Sequence, residues 1–190
     1  LTDGQIREKS NVLYLGRLHP KKGIDNLILA YRGLGKKITN NISLLIVGRG
    51  SVEYTIYLKD LINESQSNVI LLGHKEGKEK IDLYTKSKVL VLPSHSENFG
   101  NVVLEALANS TPVIASKYTP WEEIEENQCG YWVDNSPESI QIYLEKIFTL
   151  SSDEYLNYCR NSHNLVCNNY NISQKINHLI DIYEKYSKKI

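Results

Sequence analysis

Four charged side chains set the chemical possibilities of this sequence. Glu97 and Glu105 have seven residues between them, and Arg17 and Lys22 have four. Two carboxylates at such a spacing can accept hydrogen bonds from two separate groups of hydroxyls. A guanidinium and an ammonium in one loop can jointly clamp a diphosphate. Between the glutamates, Gly100 removes side-chain bulk where backbone amides at a helix start could approach a phosphate. Taken singly, each residue also has a plainer use. Either glutamate would serve as a helix-dipole partner worth about 0.3–1 kcal/mol, and the cations as solvated loop residues. Spacing alone does not say whether Lys21 or Lys22 points inward.

The stretch that must position the glutamates is Val89 to Leu107. Its apolar opening, Val89 to Leu92, is too short for a helix and is closed by Pro93, which predicts a buried strand. A polar turn follows, Ser94 to Asn98, and an amphipathic helix is expected from near Phe99. Phe99, Val102, Val103, Ala106 and Leu107 fall on one face of it, and Asn101, Glu105 and Ala108 on the other. Helical side chains lean toward the N-terminus, so the Glu105 carboxylate is expected to reach back past Asn101.

Further strands are predicted at Asn11–Gly16, Ile42–Val47, Val69–Leu72, Pro112–Ser116 and Tyr131–Val133. Helices are predicted after Gly23, from Ser51 to about Glu64, around Lys80–Lys86 and as a turn at Trp121–Asn127. From Ser136 the pattern is helical only, with breaks near Ser151 and Asn171. Strands alternating with helices imply βαβ units and a parallel sheet, and strands this uniformly apolar call for helices on both faces. The expectation is one α/β, Rossmann-like domain over residues 1–190, with a sheet core about 11–134 and a helical tail about 136–190. Ligands of such sheets bind outside the carboxyl ends of the strands. That rule selects the loops Arg17–Gly23, Gly48–Ser51, Gly73–Lys75 and Ser94–Asn101.

Composition narrows the classes. The 190 residues carry 22 basic and 22 acidic side chains, so no nucleic-acid partner is expected. No apolar run approaches the roughly 18 residues of a membrane span, and the N-terminus has no apolar segment of a secretory signal. Three cysteines without CxxC spacing fit a reduced, cytoplasmic protein. The sequence has no Met, which suggests a piece of something longer. The histidines show no metal-ligand spacing, so no protein metal site is expected. Gly48-Arg49-Gly50 lacks the third glycine of GxGxxG, which speaks against a nicotinamide dinucleotide. No GxSxG elbow supports a hydrolase.

The sequence SENFGNVVLEALANSTPVIAS resembles the E-x7-E signature of the retaining glycosyltransferases of family 4, often described as glycosyl transferases group 1. Leu15-Gly16-Arg17-Leu18-His19-Pro20-Lys21-Lys22-Gly23 resembles the family's GRL-x3-KG loop, and Ile46-Val47-Gly48-Arg49-Gly50 its VGxG turn. Leu71-Leu72-Gly73-His74 resembles the next strand end. The resemblance covers roughly Asn11 to Asp134 in the expected order and matches Lys22, not Lys21, to the family's lysine.

What it implies is half of a GT-B fold: the C-terminal, donor-binding domain, with the N-terminal acceptor domain absent from this chain. Arg17 and Lys22 would hold the diphosphate of a nucleotide sugar, helped by Gly16 and Gly50 at the neighbouring turns and by the amides of Gly100, Asn101 and Val102. Glu105 would bind the ribose hydroxyls. Glu97 would hold the transferred sugar, with the Asn98, Phe99 and Gly100 amides beside it. Gly73 and His74 would lie against the nucleobase. Catalysis would need no metal or other cofactor. The expected activity is transfer from a uridine-linked sugar to a glycan or lipid acceptor in envelope polysaccharide synthesis, with peripheral membrane association of the full-length enzyme. The competing expectations are a sugar-nucleotide epimerase of the same fold and a non-catalytic nucleotide-binding or assembly domain. Two departures stand out: Asn98 replaces a smaller residue, and Lys117–Glu123 replaces a Gly-rich loop. In the tail, Ile172, Ile176, Leu179, Ile180 and Tyr183 share one helical face.

Overall fold

Period-two alternation in the central strands sends their side chains into two separate cores, and that division shapes the molecule. The computed structural model describes residues 2–63 and 68–170. β1 (Asn11–Leu15) and β4 (Ser87–Leu92) lie side by side at its centre. Val12, Tyr14, Val89 and Val91 face one core, with Ile24, Leu27, Ile28 and Tyr31 of α2 (Ile24–Gly33) and Ile140 and Leu144 of α8 (Pro137–Thr149). Leu13, Leu90 and Leu92 face the other, with Tyr84 of α5 (Gly77–Lys86), Val103 and Leu107 of α6 (Asn101–Ala108), and Trp121. Strands buried on both faces have no polar alternation to show, which is why they read as unbroken apolar runs.

The remaining strands are β2 (Leu44–Val47), β3 (Val69–Gly73), β5 (Val113–Ser116) and β6 (Gly130–Val133). All pairings are parallel, in the order β3-β2-β1-β4-β5-β6. The chain therefore winds outward in one direction from β1 and in the other from β4. Between those two strands the loops part, which opens a crevice at their carboxyl ends. Flanking helices include α4 (Val52–Asn63), the short α7 (Glu123–Glu126) and the long α9 (Ser152–Asn169). Among the described residues no helix is long and apolar enough to cross a membrane.

Differences from the sequence reading are local. The helix expected from Phe99 starts at Asn101, because Gly100 has φ 83° in the left-handed region and cannot continue a helix. Phe99 is therefore a loop residue and keeps 38% of its surface exposed. α5 begins at Gly77, three residues before Lys80, and β4 begins at Ser87, two before Val89. Two short helices had no periodic signal: α1 (Asp3–Arg7), started by a capping box between Thr2 and Gln5, and α3 (Lys36–Thr39). The apolar face expected over residues 172–183 lies outside the described residues.

Candidate functional site

Each loop of the crevice is shaped by a few local contacts. After β1, Pro20–Lys22 forms a tight 3-10 turn whose start is capped by the His19 ring, which accepts from the Lys21 N–H at 3.1 Å. Gly23 ends that turn with φ 60°, and a Cβ there would lie 2.1 Å from the Pro93 carbonyl oxygen. Only glycine allows the first loop to close on the strand end of β4. The His95 N–H then donates to the Lys21 carbonyl at 2.8 Å and joins the two loops directly. This junction turns Lys22 toward Glu97, with which it forms an ion pair at side-chain exposures of 17% each. Lys21 is exposed.

Beside the pair is a cleft of ≈ 400 Å³ lined by Gly16, Arg17, Lys22 and Glu97 and by all residues from Asn98 to Val102. The Tyr14 hydroxyl donates to the Arg17 carbonyl at 2.9 Å and fixes the backbone from which the guanidinium projects. Burial pushes the Tyr14 phenol far above its usual range, so it stays a donor. Arg17 makes no ion pair among the described residues. Two cations against one carboxylate leave the cleft net positive where it meets the start of α6. An anion is doubly favoured there, by the cations and by the free amides of the helix.

A second groove of ≈ 400 Å³ continues from the first past the shared Gly16 and Arg17 to Arg49, His74 and Lys75. Two backbone contacts join its walls: the Leu18 N–H donates to the Arg49 carbonyl at 2.7 Å, and the Gly48 N–H to the Gly73 carbonyl at 2.8 Å. Gly50 pairs with Leu18 in a parallel bridge. His74 contacts Glu76, and that hydrogen bond, more than its charge, lowers the Glu76 pKa.

Glu105 stands apart from the cleft lining. It lies one turn beyond Asn101 as the spacing predicts, but its carboxylate is engaged by two side chains of α5, the Lys80 ammonium at 2.7 Å and the Tyr84 hydroxyl at 2.6 Å. The structure thus gathers Arg17, Lys22, Glu97 and residues 98–102 round one cleft and puts His74 on its extension, while Gly50, Gly73 and Glu105 do not line either groove.

Sequence reasoning missed Tyr14, Lys80, Tyr84 and Trp121. Lys80 and Tyr84 are one helical turn apart, so their shared face was legible, but their partner on another helix was not. Trp121 lies in the segment that departs from the Gly-rich loop. It is fully buried, packs against Phe99 at 5.0 Å between ring centroids, and donates its indole N–H to the Phe99 carbonyl. That bond orients the Phe99–Gly100 peptide at the mouth of α6.

The sequence pattern of the family described as "Glycosyl transferases group 1" matches residues 3–166. The chain is 33% identical over 145 residues to the capsular polysaccharide biosynthesis glycosyltransferase CapM of Staphylococcus aureus, covering 75% of this chain and 37% of that one. It spans less than half the length of such curated relatives. Among solved structures it superposes on the C-terminal domain of the group 1 glycosyl transferase LpcC of Francisella tularensis. The TM-score is 0.75 at 23% identity, covering 90% of this chain and 93% of that one. It also superposes on Anabaena HepE, solved in complex with UDP, with a TM-score of 0.81 at 18% identity, covering 95% and 50% respectively. These two likenesses establish the shared fold. The chain belongs to the glycosyl transferases group 1 family.

Proposed function

We propose that this member of the family is the donor-binding, C-terminal half of a retaining, family 4 glycosyltransferase that uses a nucleoside-diphosphate sugar, with uridine as the base. The observation that carries the reading is the cleft at the β1/β4 crossover, where Arg17, Lys22 and the first amides of α6 converge. That is the chemistry a diphosphate requires, and the HepE complex with UDP supports a uridine nucleotide in this fold. Arg17 and Lys22 hold the diphosphate and stabilise it as it leaves, by fixed charge rather than through a metal ion. Glu97 accepts from hydroxyls of the transferred sugar, beside the Asn98–Gly100 backbone. Glu105 accepts from the ribose hydroxyls, and His74 borders the base.

The similarity to CapM supports a place in polysaccharide synthesis; the same reading has the whole enzyme transfer sugar to a glycan or lipid acceptor on the cytoplasmic side. The acceptor site belongs to an N-terminal domain, so residues 1–190 alone bind donor without transferring sugar. Titration calorimetry with UDP and GDP tests the reading. UDP is expected to bind, more tightly than GDP, with affinity unchanged by EDTA and lowered by Glu105→Ala. Absence of binding by either nucleotide overturns it, and transfer to acceptors by this chain overturns the half-site assignment.

A further inference from the structure

The grip of α5 on Glu105 is the arrangement that the roles above leave unused. Lys80 and Tyr84, four residues apart on one face of α5, both donate to the carboxylate of Glu105 on α6. We propose that Lys80 and Tyr84 are positioning residues that aim Glu105 at the 2′- and 3′-hydroxyls of the nucleoside and make the site selective for ribonucleotides. This rests on the nucleotide reading above and assigns the selectivity to a preset carboxylate rather than to Glu105 alone.

Three observations carry it. The Tyr84 ring is 1% exposed, while its carbonyl accepts from Lys9 Nζ at 3.2 Å and Thr111 Oγ1 at 2.8 Å, so the hydroxyl projects from a fixed base. Burial, then the hydrogen bond to Glu105, pushes that phenol far above its usual range, and it remains a donor at any working pH. A carboxylate has about four acceptor positions; Lys80 meets both oxygens and Tyr84 shares Oε2, so Oε1 keeps acceptor capacity for a ribose hydroxyl. The Glu105 side chain keeps 38% of its surface exposed, so a ligand can reach it. A glutamate already fixed in one rotamer loses little conformational entropy when the diol arrives.

Tyr84→Phe and Lys80→Met separate this role from packing, because each keeps its apolar bulk and removes only the donor. The experiment is titration calorimetry of wild type and both variants with UDP and GDP, each compared with its 2′,3′-dideoxy form. Wild type is expected to prefer the ribose form by about tenfold or more, one good hydrogen-bonded contact. In each variant the ribose form weakens toward the dideoxy form, whose affinity stays unchanged. Equal weakening of both forms would mean a structural role and overturns the proposal. A wild type that binds both forms equally overturns the ribose role of Glu105 and this proposal with it. Binding of neither nucleotide overturns the nucleotide reading itself.

Discussion

At the scale of single residues, the ion pair between Lys22 and Glu97 has the largest consequence for binding. Both groups are mostly buried, and each is also a group the proposed donor needs. A diphosphate reaching Lys22 has to share or displace Glu97, whereas a sugar reaching Glu97 offers hydroxyls in return. Neutralising the competitor should therefore favour the bare nucleotide. Glu97→Gln is expected to tighten UDP by about 3–10-fold, and Lys22→Ala to weaken it by about tenfold or more, as for loss of a charge-assisted bond. Calorimetry on the two variants is the check, and Glu97→Gln weakening UDP as much as Lys22→Ala would refute the competition. The same measurement with a UDP-sugar should show Glu97→Gln losing any preference for the sugar over UDP.

At the scale of elements, α6 presents its amides to the cleft only because its first turn is stopped short. Gly100 supplies the backbone conformation, and its surroundings explain why it is not replaceable. A Cβ there would meet Leu92 Cδ2 at 3.0 Å and Glu97 Cγ at 3.3 Å. Trp121 supplies the clamp from the loop after β5. Trp121→Phe retains an aromatic ring but leaves the Phe99 carbonyl without its donor. The expected cost is about 1–2 kcal/mol in urea denaturation, together with weaker UDP binding because the amides lose their alignment. Unchanged affinity in a destabilised variant would limit Trp121 to packing. Part of this was legible in advance: Gly100 and the amphipathic pattern of Asn101–Leu107 mark a helix start. The two-residue error in that start came from Phe99, whose apolar ring fits the helical period but packs on Trp121 instead. A period cannot register a partner 22 residues away.

At the scale of the whole molecule, Lys9 ties the approach to β1 to the ends of two helices. Its buried ammonium reaches the carbonyls of Tyr84 and Asn109 and the Thr111 hydroxyl at 3.2, 3.1 and 2.6 Å. Burial lowers its pKa from 10.5 to about 8. Between those values the unfolded chain holds a proton that the folded chain has released, so the Lys9 contribution to stability rises with pH across that window. Below about pH 8 the full cost of the buried charge is present. The stability difference between wild type and Lys9→Met should therefore move in favour of wild type from near pH 8 to near pH 10. Paired urea denaturations read it, and a difference that does not move would show that the ammonium is not strained by burial. Taking the difference matters, because buried tyrosines and thiols with raised pKa values act in the opposite direction. Tyr131 and Cys129 are among them, and both lose stabilising effect as pH rises past 9–10.

By itself the sequence determined the alternation of strands and helices, the four loops at the strand ends, and the charged residues within them. Those are local properties, set by periodicity, by glycine and proline, and by residue type. Tertiary structure decided which of those loops touch and what each charge faces. Lys22 rather than Lys21 meets the cleft because Gly23 packs under Pro93 and His95 binds the Lys21 carbonyl. Glu105 is fixed by α5 because a parallel crossover places Lys80 and Tyr84, 25 and 21 residues earlier in the chain, against it. Such pairings depend on sheet order and helix packing, which one stretch of sequence does not encode. The two glutamates that look alike at their seven-residue spacing thus end in different surroundings, Glu97 against a cation at the cleft and Glu105 held by two side chains of α5.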